Sequence, residues 1–269
     1  MVKDFEFKER YSCEDLLHIV SILRAPGGCP WDIEQTHESI RKDFIEETYE
    51  VIEAINKKNP AMLREELGDV LLQVAFHTSI ETDAGNFTFD DVCDEICKKL
   101  ILRHPHVFGQ TVVSSTEEVL TNWDAIKMDS KRQKTVSESI DSIPRELPAL
   151  MRAQKVQKKA AKAGFDWDDV SGALLKIGEE ADEVRAALEE GYEHTLEELG
   201  DLLFAVVNVC RFAKVDAEEA LTHATDKFSA RFRQVEALAN ERGIDMPAAG
   251  IETLDGLWNE IKQKENKAE

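Results

Sequence analysis

Five short blocks occur twice along this chain, in the same order, each second copy about 130 residues after the first. Gly28, Trp31 and Asp32 return as Gly164, Trp167 and Asp168. Glu46, Glu47 and Glu50 return as Glu179, Glu180 and Glu183. The run Glu65 to Leu71, Glu-Glu-Leu-Gly-Asp-x-Leu, returns at Glu197 to Leu203. Lys99 and Arg103 match Lys227 and Arg231, and Trp123 to Lys127 matches Trp258 to Lys262. Such repetition requires a fold built as two like modules. They are expected at 1–128 and 149–269, joined by a linker at 129–148 that is polar, holds Pro144 and Pro148 and has no clear apolar period.

The local signals within each module are helical. Ser12 and Asp15 spell a capping box before Leu16, Leu17, Val20 and Leu23. Thr36 caps a stripe of Ile40, Phe44, Val51 and Ile55, and Asn59-Pro60 pairs a cap with proline at the first helical position. Gly85-Asn86 closes the helix that Pro60 opens. No stretch alternates like a strand for more than a few residues, so the expected class is all-α, a tandem of duplicated helical bundles.

Acidic residues outnumber basic ones by 54 to 33, a net charge of -21, which repels a polyanion and argues against a nucleic-acid partner. The longest apolar run, Leu202 to Val207, is too short to cross a bilayer. The N-terminal MVKDFEFKER lacks the apolar core of a signal peptide, so the expected location is cytoplasmic. Cys13, Cys29, Cys93, Cys97 and Cys210 form no metal or redox motif and read as buried free thiols in a reducing cytoplasm.

Some carboxylates stand where water is scarce. Glu47 and Glu50 share one helical face beside the apolar stripe. Glu66 and Asp69, also three apart, lead into Gln73, Phe76 and Ile80. After Glu198 and Asp201 the second copy runs through Leu202 to Val207, apolar nearly all round, which predicts a helix packed on several sides. Acids at the edge of such a core call for a hard divalent cation; magnesium takes oxygen ligands and leaves room for phosphates. A solvated acidic face is the plainer alternative for any single pair, but two pairs on adjacent helices, present in both halves, favour ligation. A di-iron centre wants Glu-x-x-His from two helices, and the chain offers only Glu34 to His37. Lys99 with Arg103, and Lys227 with Arg231, place two cations one turn apart, fit for phosphate or for surface ion pairs. Trp258 and Lys262 suit base stacking and a phosphate contact, or simple packing.

These residues, together with Gly27-Gly28-Cys29-Pro30-Trp31-Asp32, Arg103-His104-Pro105-His106-Val107-Phe108 and Gly164-Phe165-Asp166-Trp167, resemble the two-repeat MazG family of all-α nucleoside triphosphate pyrophosphohydrolases. The resemblance implies magnesium-dependent cleavage between the α and β phosphates, with manganese as the other candidate ion. It implies metal ligands at Glu47, Glu50, Glu66 and Asp69, and at Glu180, Glu183, Glu198 and Asp201. Glu46 and Glu179 would orient or deprotonate the attacking water. Lys227, Arg231 and Lys262 would neutralise the triphosphate beside Trp258, and Lys99, Arg103, Trp123 and Lys127 would bind nucleotide in the first copy. It further implies a homodimer, with the C-terminal repeat as the working site. A noncatalytic nucleotide-sensing helical dimer is the competing expectation.

Overall fold

The structure, a computed structural model, describes residues 5–130 and 135–266. It divides into two compact units, Met1–Lys127 and Met128–Glu269. Among the described residues there is no strand, and no helix is long and apolar enough to cross a membrane.

The first unit holds α1 (Cys13–Arg24), α2 (Pro30–Glu34), α3 (His37–Asn56), α4 (Pro60–Asp83), α5 (Phe89–Arg103), α6 (Pro105–Phe108) and all but the last three residues of α7 (Thr116–Ser130). Its helix starts are set by short polar side chains. The Ser12 amide donates to Asp15 at 2.8 Å while the Ser12 hydroxyl accepts from the Asp15 amide at 3.3 Å. Thr36 with Ser39, and Thr88 with Asp91, repeat the reciprocal cap. Asn59 accepts from the amides of Ala61 and Met62 ahead of α4. Gly28 closes the turn after α1, where a Cβ would collide with the carbonyls of Ile22 and Leu23.

The main helix pair is α3 with α4, and α1 lies on α4. Val20, Ile40, Ala75 and Phe76 form the buried centre, with Leu16, Leu17, Leu72 and Ile80 around it. Each large apolar side chain so buried contributes about 1.5–3 kcal/mol. Arg24 ties α1 to α4 through Ser79 and Asp83.

The second unit holds α8 (Val136–Asp141), α9 (Ala149–Lys162), α10 (Val170–Glu190), α11 (Tyr192–Phe212), α12 (Ala217–Glu241) and α13 (Gly250–Glu265). Helix α8 falls inside the stretch expected as a linker. It packs on α9, Ile143 after it is buried, and Lys159 donates to the Ser139 carbonyl at 2.6 Å. That part of the stretch belongs to the second unit; residues 131–134 lie outside the described residues.

Helices α10 and α11 are joined by Gly191 alone, whose φ of 120° is open to glycine and costly for other residues. This tight reversal lays the two helices against each other. Helix α9 packs on α11, with the Gln157 amide donating to the Phe204 carbonyl at 2.7 Å. Val235, Leu238, Ala239, Leu257 and Ile261 make a separate core between α12 and α13, against which Trp258 packs.

The cysteines are free but not buried as expected, Cys13 and Cys97 being exposed and Cys29, Cys93 and Cys210 half-buried. The expectation that Leu202 to Val207 is packed on several sides also needs correction. Ala205 and Val207 are buried, but Leu203, Phe204 and Val206 are exposed. Among the described residues α11 packs on α10, α9 and α12, and the face that carries Leu203, Phe204 and Val206 is left exposed.

Candidate functional site

In each unit the repeated acids converge between two antiparallel helices, because a short turn brings the end of one beside the start of the next. In the first unit Glu47 comes from α3 and Glu66 and Asp69 from α4; one carboxylate oxygen from each lies within 4.8 Å of the others. Glu66 is buried and the other two are half-buried. Burial, then the charges of Asp69 and Glu50, raise the Glu47 carboxyl above its ordinary value. Glu66 is raised by burial first and by Glu50 next. Glu50 therefore stands close enough to act on both, though it is outside the tight triple.

In the second unit the triple is Glu180 and Glu183 from α10 with Glu198 from α11, again within 4.8 Å. Glu180 is 4% exposed. Its hydrogen bond to Glu183 is the largest cause raising the Glu183 carboxyl, followed by burial. Asp201 is exposed and lies outside this triple.

The second cluster also carries a cation for which the sequence analysis made no provision. The Lys176 ammonium sits 2.6 Å from Glu180 and 2.9 Å from Glu179. Hydrogen bonds to Glu180, then Glu179, push its pKa well above the ordinary lysine value. The signal was present, since Lys176 precedes Glu179 and Glu180 by three and four residues, the spacing of one helical turn. In the first copy the matching position is Asp43, so the two clusters differ by two charges at this point.

The other residues implied by the resemblance are placed as follows. Glu46 and Glu179 are exposed, the latter held by Lys176. Arg231 is half-buried, its Nε donating to Glu265 at 2.7 Å and its guanidinium lying 5.9 Å from the Trp258 ring centroid. Phe228 packs on the same indole at 5.1 Å. Lys227 and Lys262 are exposed and have no ion-pair partner among the described residues. In the first unit Arg103 and Lys127 both lie over Trp123, at 5.3 and 5.8 Å, while Lys99 is exposed. Among the described residues no hydrogen bond or ion pair joins Lys227, Arg231 or Lys262 to the Glu180 cluster.

The arrangement is two carboxylate clusters, each with one buried member, Glu66 or Glu180, and with Glu183 of the second exposed, and each accompanied in its own unit by a basic and aromatic helix pair. A MazG nucleotide pyrophosphohydrolase domain matches the chain twice, at residues 35–108 and 157–236. Both carboxylate triples fall inside the matched segments, whereas Trp123, Lys127, Trp258 and Lys262 fall outside them. A nucleoside triphosphate pyrophosphohydrolase of Escherichia coli K12 is 44% identical over 254 residues, covering 93% of this chain and 97% of that relative. One from Thermotoga maritima, named nucleoside triphosphate pyrophosphohydrolase/pyrophosphatase MazG, is 45% identical over 249 residues, covering 93% and 95%. The Bacillus subtilis protein YabN is 49% identical over 254 residues, which is 93% of this chain and 51% of that protein. The doubled carboxylate pairs, the helical repeats that carry them and these matches lead to one conclusion: the chain belongs to the MazG nucleotide pyrophosphohydrolase family.

Proposed function

We propose that this protein is a magnesium-dependent nucleoside triphosphate pyrophosphohydrolase, a hydrolase of an acid anhydride, whose second repeat is the working site. The observation that carries this reading is the second carboxylate triple, with Glu180 buried, Glu183 raised, and Lys176 alongside. Carboxylate oxygens so close together fit a hard divalent cation, magnesium or alternatively manganese. Glu180, Glu183 and Glu198 would hold it, with Asp201 one turn beyond Glu198 as the fourth carboxylate. Glu47, Glu66 and Asp69, with Glu50, would do the same in the first repeat. When bound, the ion supplies positive charge to the phosphate oxygens.

The chain's own groups account for the rest. Glu179, exposed beside the cluster, accepts a proton from the attacking water. The water oxygen bonds to the α phosphorus, the bond from that phosphorus to its bridging oxygen breaks, and pyrophosphate leaves with the electron pair. Lys176 exchanges carboxylate for phosphate contacts, and Lys227, Arg231 and Lys262 neutralise the leaving charge. Trp258 offers a face to the base. In the first repeat Lys99, Arg103, Trp123 and Lys127 bind nucleotide beside a cluster that lacks the lysine. The working form is a cytoplasmic homodimer.

Product analysis tests this reading. The purified protein with magnesium is expected to release monophosphate and pyrophosphate, and a chelator is expected to stop it. Diphosphate with orthophosphate, or turnover that survives chelation, sinks it; saturable binding without product leaves a nucleotide sensor. Asp201→Ala is expected to remove most activity, at least about 100-fold, with a smaller effect for Asp69→Ala. The opposite ranking moves the working site to the first repeat.

A further inference from the structure

The arginines of this chain differ in how their guanidinium nitrogens are used. Arg24 directs Nε to Ser79 at 3.1 Å, one terminal nitrogen to the Asp32 carbonyl at 3.2 Å and the other to Asp83 at 3.0 Å. Arg211 directs Nε to Asn208 at 2.8 Å and both terminal nitrogens to Asp166. All three nitrogens of each are engaged, as suits a structural clamp. Arg231 is held differently. Its Nε donates to Glu265 Oε2 at 2.7 Å, its Cζ lies 5.9 Å over the Trp258 ring, and neither terminal nitrogen donates a hydrogen bond among the described residues.

The Nε edge of the guanidinium is thus held beside the indole, and the edge with the two terminal nitrogens is open. That open edge is the fork that matches two oxygens of a phosphate. The holding carboxylate is itself steadied, with the Gln234 amide nitrogen 3.4 Å from Glu265 Oε1. The ion pair is shielded, its side chains 19% and 33% exposed. Trp258 is fixed in turn by the core between α12 and α13. The first repeat lacks this device. Arg103 lies over Trp123, but the residue three beyond Lys127 is Ser130, where Glu265 stands three beyond Lys262.

We propose that Glu265 is a positioning residue for the second repeat: by holding the Nε edge of Arg231 it turns the two terminal nitrogens toward the polyphosphate of the substrate. The proposal rests on the reading of Lys227, Arg231 and Lys262 as the triphosphate's partners. Holding the side chain before substrate arrives reduces the entropy lost on binding, because a free arginine must give up several rotors at once. A carboxylate competing with phosphate would take the terminal fork; Glu265 takes the other edge.

The test is a double-mutant cycle on the full chain with magnesium, reading kcat/KM for a nucleoside triphosphate and, separately, the Kd of inorganic tripolyphosphate. Glu265→Ala is expected to lower kcat/KM about ten-fold and to weaken tripolyphosphate about as much. Glu265→Gln keeps an acceptor oxygen for Nε and is expected to recover most of both. In the Arg231→Ala background, adding Glu265→Ala is expected to change neither. Additive losses, no loss, or tighter tripolyphosphate binding in Glu265→Ala would overturn the proposal. If Glu265→Ala does not fold, the cycle with Glu265→Gln decides, a loss of about three-fold that vanishes without Arg231 being the expected result. A wild type that yields no monophosphate removes the reading of function, while the tripolyphosphate cycle still decides the role of Glu265.

Discussion

The same residue type, glutamate, is used in opposite ways in the two carboxylate clusters, and the reason is one neighbour. Glu66 is buried among acids, with burial, Glu50, Glu65 and Asp69 all raising its carboxyl. Glu180 is buried to a similar degree but carries the Lys176 ammonium at 2.6 Å. Neutralising each should therefore move metal-free stability in opposite directions. Glu66→Gln is expected to raise the thermal midpoint without magnesium by about 3 °C, and Glu180→Gln to lower it by a similar amount. Calorimetry in chelator checks the pair, and a shift of the same sign in both would refute the account. Magnesium should stabilise the wild type more than either variant.

At the scale of helices, the α3 and α4 pair of the first unit carries a polar link that the second copy lacks. His37 Nδ1 lies 2.7 Å from His77 Nδ1, His37 Nε2 lies 2.6 Å from Glu81, and the Asn86 amide donates to the same carboxylate at 2.7 Å. The matching positions in α10 and α11 are Val170, Val209 and Ala213. Burial, and then the charge of His37, lower the His77 pKa below its ordinary value of 6.5. His77 of the unfolded chain therefore takes up a proton near pH 6.5 that folded His77 refuses until lower pH. Stability from this site is complete above that range and is lost as pH falls through it. The first unit's thermal midpoint is expected to drop by a few degrees between pH 7.5 and pH 5.5, and His77→Val to flatten that dependence. An unchanged slope in the variant would exclude His77 as its source.

At the scale of the whole molecule, the exposed apolar surface is the dominant fact. Leu196, Leu199, Leu203 and Val206 follow one another at helical spacing along α11 and are all exposed, and Leu67 and Leu71 repeat part of the row on α4. A row of this kind is expensive to leave in water and is the surface on which the proposed homodimer would form. Leu203→Glu is expected to convert a dimer into a monomer in sedimentation velocity at micromolar protein. A variant that sediments as the wild type would place the contact elsewhere.

The amino-acid order by itself determined the duplication, the helical class and the helix starts at Ser12, Thr36 and Asn59, though not α8. Each of these depends on residues a few positions apart, such as Ser12 with Asp15 or Glu180 with Glu183, whose geometry a helix fixes locally. Family membership followed because its motifs are equally local. Three things waited for the tertiary structure. One was the tight triples that leave Glu50 and Asp201 outside. Another was the tie between Arg231 and Glu265, 34 residues apart. The third was the exposed face of α11, since an apolar row reads the same whether its partner is its own chain or another. Convergence and burial depend on which helices become neighbours, and the order of residues along one helix does not state that.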